Sequence, residues 1–186
     1  EIFTGRVKMT FYESARFINN LYHDLKIQRK SFRRRLRLRL NYLRARSRRK
    51  RMGQTVFIGI TGSAGKTTAT DLAAAILYDT GPCQQTREYN ALDSVIRLLL
   101  STGRADRYCI AELAATGPGT LDLSVRVFNP DVAVITLIGR DHYSAFKNME
   151  AIAAEKEKVV SALPPGGTAV LNIDDPLVRR IGERCT

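Results

Sequence analysis

The sequence predicts an α/β domain, a P-loop-bearing and mostly parallel sheet flanked by helices, with a long basic helical arm in front of it. Three observations carry this expectation. From Gln54 onward, short apolar runs of strand length alternate with runs of helical period, the pattern of successive βαβ units. A glycine-rich turn, GITGSAGKTT at 59–68, lies between the apolar run TVFIGI and the helix-prone run DLAAAILYD. The charge is also divided: residues 1–51 hold 17 Lys and Arg against 3 Asp and Glu, whereas the remainder holds 13 against 15. The expected division is therefore an arm over 1–53 and a domain over 54–186.

Taken in order, Phe11, Ala15, Ile18, Tyr22, Leu25, Phe32, Leu36 and Leu43 recur mostly at steps of three and four with arginines between them, which predicts one amphipathic helix. RLRLRLNYLRA also alternates with period two, but arginine and leucine both favour helix. Strands are predicted at 55–60, 108–113, 131–137 and 168–173, with a weaker one at 83–86. Helices are predicted at 66–78, 91–100, 121–128 and 149–162, with another starting at Pro176.

A chain of 186 residues that is 44% hydrophobic can bury a real core, so disorder is excluded. Cys83, Cys109 and Cys185 are odd in number and share no CxxC spacing, which argues against a disulfide framework and against a zinc site. No apolar run reaches the length needed to span a bilayer. The chain starts at Glu1 and stops near its last predicted helix, so an upstream segment and a further domain are both expected.

Four segments carry chemistry. A strand that ends in a glycine-rich loop and opens a helix through Lys-Thr is built to hold phosphates: backbone N–H groups and the helix N-terminus face the anion, Lys66 neutralises the terminal phosphate, and the Thr67 hydroxyl reaches Mg²⁺. The usual spacing places a glycine where this chain has Ile60; here the glycines stand at 59, 62 and 65. YCIAELAATGPG delivers Glu112 at a strand end, where parallel topology gathers loops at one rim of the sheet and a carboxylate can face the phosphate loop to hold a metal. NPDVAVITLIGRDH brings Asp141 and His142 to the same rim, while His23 in the arm is assigned no chemistry. In EAIAAEKEKV, Lys156 and Lys158 alternate with Glu155 and Glu157, which on its face is an exposed, charge-paired helix surface.

In order, TGSAGKTT, YNALDSV, AELAATGPGTL, NPDVAVITLIGRDH, EAIAAEKEKV and PPGGTAVLNIDDP resemble the central ATP-binding domain of the Mur ligase family over about 54–186, including its unusual glycine spacing. Within the family they are most similar to members that add D-alanyl-D-alanine to a muramyl tripeptide. The resemblance implies an ATP-dependent peptide ligase of peptidoglycan biosynthesis: ATP converts a carboxylate to an acyl phosphate, which an amine attacks. It implies that Thr61, Gly62, Ser63, Ala64, Gly65, Lys66, Thr67 and Thr68 surround the ATP phosphates, with Thr67 on a first Mg²⁺. Glu112 and His142 hold a second Mg²⁺, Lys156 becomes carbamylated and joins that metal, and Asn90 lies on the substrate side. The catalytic set is Lys66, Lys156 and His142. The family's N-terminal UDP-sugar-binding domain and its C-terminal domain have no counterpart in this sequence, so the substrate is unread; folylpolyglutamate, cyanophycin and poly-γ-glutamate synthetases share the same central domain.

The arm suits an anionic membrane surface or a protein partner better than nucleic acid, because aromatic residues are too sparse along the arginine run to stack bases. The expected location is the cytoplasm, with the arm leaving association with the membrane's cytoplasmic face open. Two other classes stay open at this point. One is a non-catalytic nucleotide-binding module tethered by its arm; the other is a P-loop ATPase acting on nucleic acid.

Overall fold

Strand β1, Val56–Thr61, has a partner on each side and forms the centre of a five-stranded sheet. The computed structural model describes residues 32–86, 91–141 and 143–185. The chain divides into two units, Glu1–Leu40 and Asn41–Thr186. The described part of the first unit, residues 32–40, is helical, and the helix (α1) continues through residue 50 in the second. The part of the predicted arm helix before residue 32 lies outside the described residues.

After β1 come α2 (Lys66–Tyr78), β2 (Cys83–Gln85), α3 (Ala91–Ser101), β3 (Tyr108–Glu112), α4 (Leu121–Phe128) and β4 (Val132–Ile135). A four-residue helix α5 (Tyr143–Phe146), then α6 (Met149–Ser161), β5 (Thr168–Leu171) and α7 (Pro176–Glu183) complete the unit. The order is β2-β3-β1-β4-β5 and every pairing is parallel. All strand ends therefore gather at one rim.

Alternation along β1 decides which helix covers which face. Ile58 and Ile60, with Ile110 of β3, pack under Ala69, Ala73 and Leu77 of α2. Phe57 points the other way and meets Phe128 of α4 edge to face, with centroids 5.5 Å apart. On that same face the neighbours come so close that a Cβ on Gly59 would lie 2.9 Å from the Leu113 side chain and 3.3 Å from Pro130, with Val159 of α6 at 3.4 Å. Glycine in mid-strand is explained by that approach.

Strand β4 ends at Ile135, two residues earlier than the apolar run suggests, because Thr136 and Leu137 turn to wall the glycine-rich loop. Residues 41–50 of α1 lie in the second unit and are tied to it by two arginines. Arg48 donates from Nε and Nη2 to the carbonyl of Thr102, just past α3 (2.9 and 2.6 Å). Arg49 donates to the carbonyls of Phe128 (2.9 Å) and Asn129 (2.7 Å) at the end of α4. Arg49 also pairs with Asp131 at 2.8 Å and lies 3.8 Å over the Phe57 ring. Two arginines thus satisfy the orphan carbonyls that end two helices.

Candidate functional site

The loop from Gly62 to Gly65 takes its shape from backbone conformations that side chains resist. Gly65 (φ 76) is left-handed and sits directly before α2. Gly62 (φ 154) is pressed against Thr136, whose Oγ1 would lie 1.8 Å from a Cβ there. That hydroxyl donates to the carbonyl of Ala64 at 2.6 Å. Ser63 is held by its N–H to the Leu137 carbonyl (2.8 Å) and by its hydroxyl to the Gly139 carbonyl (3.1 Å). The loop is clamped against the segment that follows β4, while Ala64, Gly65, Thr67 and Thr68 stay exposed. Thr61 is buried and donates to the carbonyl of Leu113 (2.8 Å), so it is a wall of the site with no open face.

At the end of β3, Glu112 Oε2 accepts a hydrogen bond from the Thr67 hydroxyl at 2.9 Å. A hydroxyl and a half-buried carboxylate at one rim are hard oxygen donors of the kind Mg²⁺ takes. Among the described residues no group of three or more His, Cys, Asp or Glu is placed to hold a metal. His142 and Asn90 lie outside the described residues.

The charged run of α6 is not the exposed surface its alternation suggests. Lys156 is 1% exposed and Glu155 4%. Burial, then the charge of Lys66, lower the Lys156 amine from its usual 10.5 to about 8, with Asp141 and Glu155 acting in the opposite direction. Glu155 turns to the neighbouring loop, accepting the N–H groups of Gly119 and Leu121 at 2.9 Å each. Lys158 Nζ bridges Asp122 (2.6 Å) and Glu155 (2.7 Å). Lys158 and Glu157, which meets Arg184 at 2.8 Å, are the partly exposed and charge-paired members of the run.

Sequence reasoning missed Thr136, Glu155 and Asp175 as residues that hold the site's loops. Asp175 caps α7 and also accepts the N–H of Ile138 at 2.7 Å, which pins the loop leading to Asp141. An Asp-Pro pair opening a helix signals the cap, but nothing local signals the second bond.

A phosphate-type loop between a central parallel strand and its helix, walled by two further strand ends, defines a P-loop α/β protein. More narrowly, the chain belongs to the Mur ligase family: residues 60–185 match the Mur ligase middle domain. It is 35% identical over 128 residues to a UDP-N-acetylmuramoyl-tripeptide–D-alanyl-D-alanine ligase of Synechocystis sp., covering 68% of this chain and 28% of that protein. It is similar in structure to MurF from Acinetobacter baumannii (TM-score 0.72, 30% identity, 76% of this chain and 31% of that one). It is equally similar to MurF ligase from Thermotoga maritima in complex with ADP (TM-score 0.72, 27% identity, 79% and 34%). The chain thus spans 28% to 34% of the length of these relatives.

Proposed function

We propose that this chain forms the ATP-binding part of a Mur-type carboxylate–amine ligase. A carboxylate oxygen of a cell-envelope peptide precursor attacks the γ-phosphorus of ATP and the bond to ADP breaks. The amine of an incoming residue then attacks the acyl carbon, phosphate leaves, and the amine's proton passes to solvent. A free carboxylate is a poor acyl donor, which is why ATP is consumed. By analogy with the matched ligases, the amine belongs to D-alanyl-D-alanine.

The observation that carries this reading is the Thr67–Glu112 hydrogen bond, which joins the phosphate loop to the end of the neighbouring strand. In this reading the N–H groups from Gly62 to Thr68 orient the triphosphate, and Lys66 neutralises the migrating phosphoryl group. Thr67 would hold one Mg²⁺ ion and Glu112, with His142 assigned to the same duty, a second; bound there, the ions would supply positive charge to the phosphoryl oxygens. Asn90 is assigned to the substrate side.

Lys156 suits carbamylation. With its amine lowered to about 8, roughly a quarter is neutral near pH 7.5, against about one part in a thousand for an ordinary lysine. The neutral nitrogen attacks the carbon of CO₂, an N–C bond forms, and a proton leaves, so a buried cation becomes a carboxylate-like anion.

ADP release should be measured with candidate carboxylate and amine pairs, with and without bicarbonate, beside Lys66→Ala and Lys156→Ala. The expected result is loss of ADP release in both variants and stimulation of the unsubstituted protein by bicarbonate. If Lys156→Ala turns over as the unsubstituted protein does and bicarbonate changes nothing, the carbamate role is wrong. Nucleotide binding without ADP release for any pair would instead favour a non-catalytic module.

A further inference from the structure

The end of α1, the end of α3 and the residues leading to β3 enclose a cleft of about 520 Å³ that lies wholly within the unit starting at Asn41. Arg44, Arg48, Arg51 and Arg104 border it, with Met52 and Leu100 as apolar lining. Among the described residues no carboxylate lines the cleft and none pairs with Arg44, Arg51 or Arg104. Asp106, the acid nearest to Arg104 in sequence, instead accepts the Gly103 N–H at 2.6 Å and the Gln84 amide at 3.4 Å. Four guanidinium groups therefore share one opening without a counter-charge.

Part of this arrangement is fixed in place. Arg48 donates from Nε and Nη2 to the Thr102 carbonyl at 2.9 and 2.6 Å, which sets its guanidinium plane and leaves its charge and its Nη1 donors in hand. The same bonds cover a helix-end carbonyl that would repel an anion. The backbone N–H of Arg51 bonds the Arg48 carbonyl at 3.0 Å, which anchors that side chain at its root. On the other flank of α1 a smaller cleft of about 160 Å³ is bordered by Arg46, Arg49, Lys50 and Arg126, but there Asp131 neutralises Arg49 at 2.8 Å. The larger cleft keeps all four charges.

We propose that this four-arginine cleft is a second phosphate site, for a ligand that carries a diphosphate or two neighbouring phosphate groups. Charge decides the class. A single carboxylate leaves most of four cations unmatched, whereas a diphosphate brings several negative oxygens in the spacing that planar guanidinium forks pair two at a time. An opening of this volume admits one phosphate-bearing group with its linking atoms over the apolar lining. The cleft is not the ATP site: it precedes β1, the glycine-rich loop follows it, and the six residues of that strand set them on the order of 20 Å apart. The ligand is therefore distinct from the nucleotide. Its phosphates have two possible sources, a phospholipid headgroup and a soluble diphosphate.

The test is calorimetric titration of the full chain with inorganic pyrophosphate at low salt, with saturating ADP present so that the glycine-rich loop is occupied. Expected is a binding step of one pyrophosphate per chain. Arg44→Ala with Arg104→Ala should weaken it at least about tenfold, and retention of a fluorescent ADP analogue shows that the variant is folded. Arg33→Ala with Arg37→Ala removes equal charge outside the cleft and should leave the step within about twofold. Flotation with phosphatidylcholine vesicles carrying about 30 mol% phosphatidic acid separates the sources. Flotation that the Arg44 and Arg104 pair abolishes and pyrophosphate competes away identifies a lipid headgroup; flotation absent, or indifferent to that pair, identifies a soluble diphosphate. The proposal falls if no pyrophosphate binds at about 1 mM, if the cleft pair binds as before, or if both pairs weaken binding equally. It falls too if an RNA duplex binds through these arginines and pyrophosphate does not compete. The ligase reading is scored separately: Lys66→Ala, expected to lose ADP, should keep the pyrophosphate step, and loss of ADP retention in the unsubstituted chain would count against that reading alone.

Discussion

A lysine that is 1% exposed beside a second lysine carries a cost that varies with pH. Its amine titrates near 8 in the folded chain and near 10.5 when unfolded. Below pH 8 both states hold the proton and the folded state bears the full penalty, up to about 3 kcal/mol. Between 8 and 10.5 the unfolded chain holds more protons, so this group's contribution to stability rises with pH. Lys156→Met should therefore raise the urea midpoint at pH 7, and the gap to the unsubstituted protein should close toward pH 10. A gap independent of pH would show that the amine is not buried as a cation. Cys109, pushed up to about 12 by burial, acts in the opposite direction at high pH and is common to both proteins, so it cancels in the comparison. A second residue-scale expectation concerns Gly62. Gly62→Ala combines a left-handed φ with a clash against the Thr136 hydroxyl and should weaken ADP-analogue binding at least about tenfold, whereas Ala64→Ser, at an exposed position, should not. Residue identity made the phosphate loop legible, because GSAGKTT has few other uses. The burial of Glu155 and Lys156 was not legible: alternating charges look the same on a solvated face and on one folded beneath a neighbouring loop.

Among the elements, the α/β alternation was readable nearly to the residue, since strands and helices here obey separate periods and are punctuated by glycine and proline. The short α5 escaped because four residues carry no period. The bonding of SRRKR was not legible: it looks like a continuation of a charged arm, yet two of its arginines hold helix ends. Arg49→Ala removes helix-end bonds, an ion pair with Asp131 and a contact over Phe57, and should cost about 2 kcal/mol in urea unfolding. Arg46→Ala, exposed and outside those bonds, should cost under about 0.5 kcal/mol. Equal effects would mean that charge alone, not helix-end bonding, is at stake. Glu155→Gln tests a comparable tie between α6 and the start of α4. Losing the anion that meets two N–H groups and Lys158 should destabilise by about 2 kcal/mol.

At the scale of the whole molecule, the division at Leu40 and Asn41 predicts where the chain tolerates shortening. A protein begun at Asn41 should unfold in urea with nearly the midpoint of the full chain, because Arg48 and Arg49 are kept; one begun at Gln54 should lose several kcal/mol, judged from the helix-end and ion-pair bonds removed together. Equal midpoints would separate the arginine bonds from stability. The position of β1 has a temporal meaning as well. Its ladder partner on one side begins at Tyr108 and on the other at Val132, so during synthesis the segment VFIGIT leaves the ribosome with nothing to pair against. At about 5 to 20 residues per second, several seconds pass before β3 emerges. Over that interval a naked apolar hexapeptide is a target for holdase chaperones and for self-association, and the centre of the finished sheet is its most vulnerable part while it is being made.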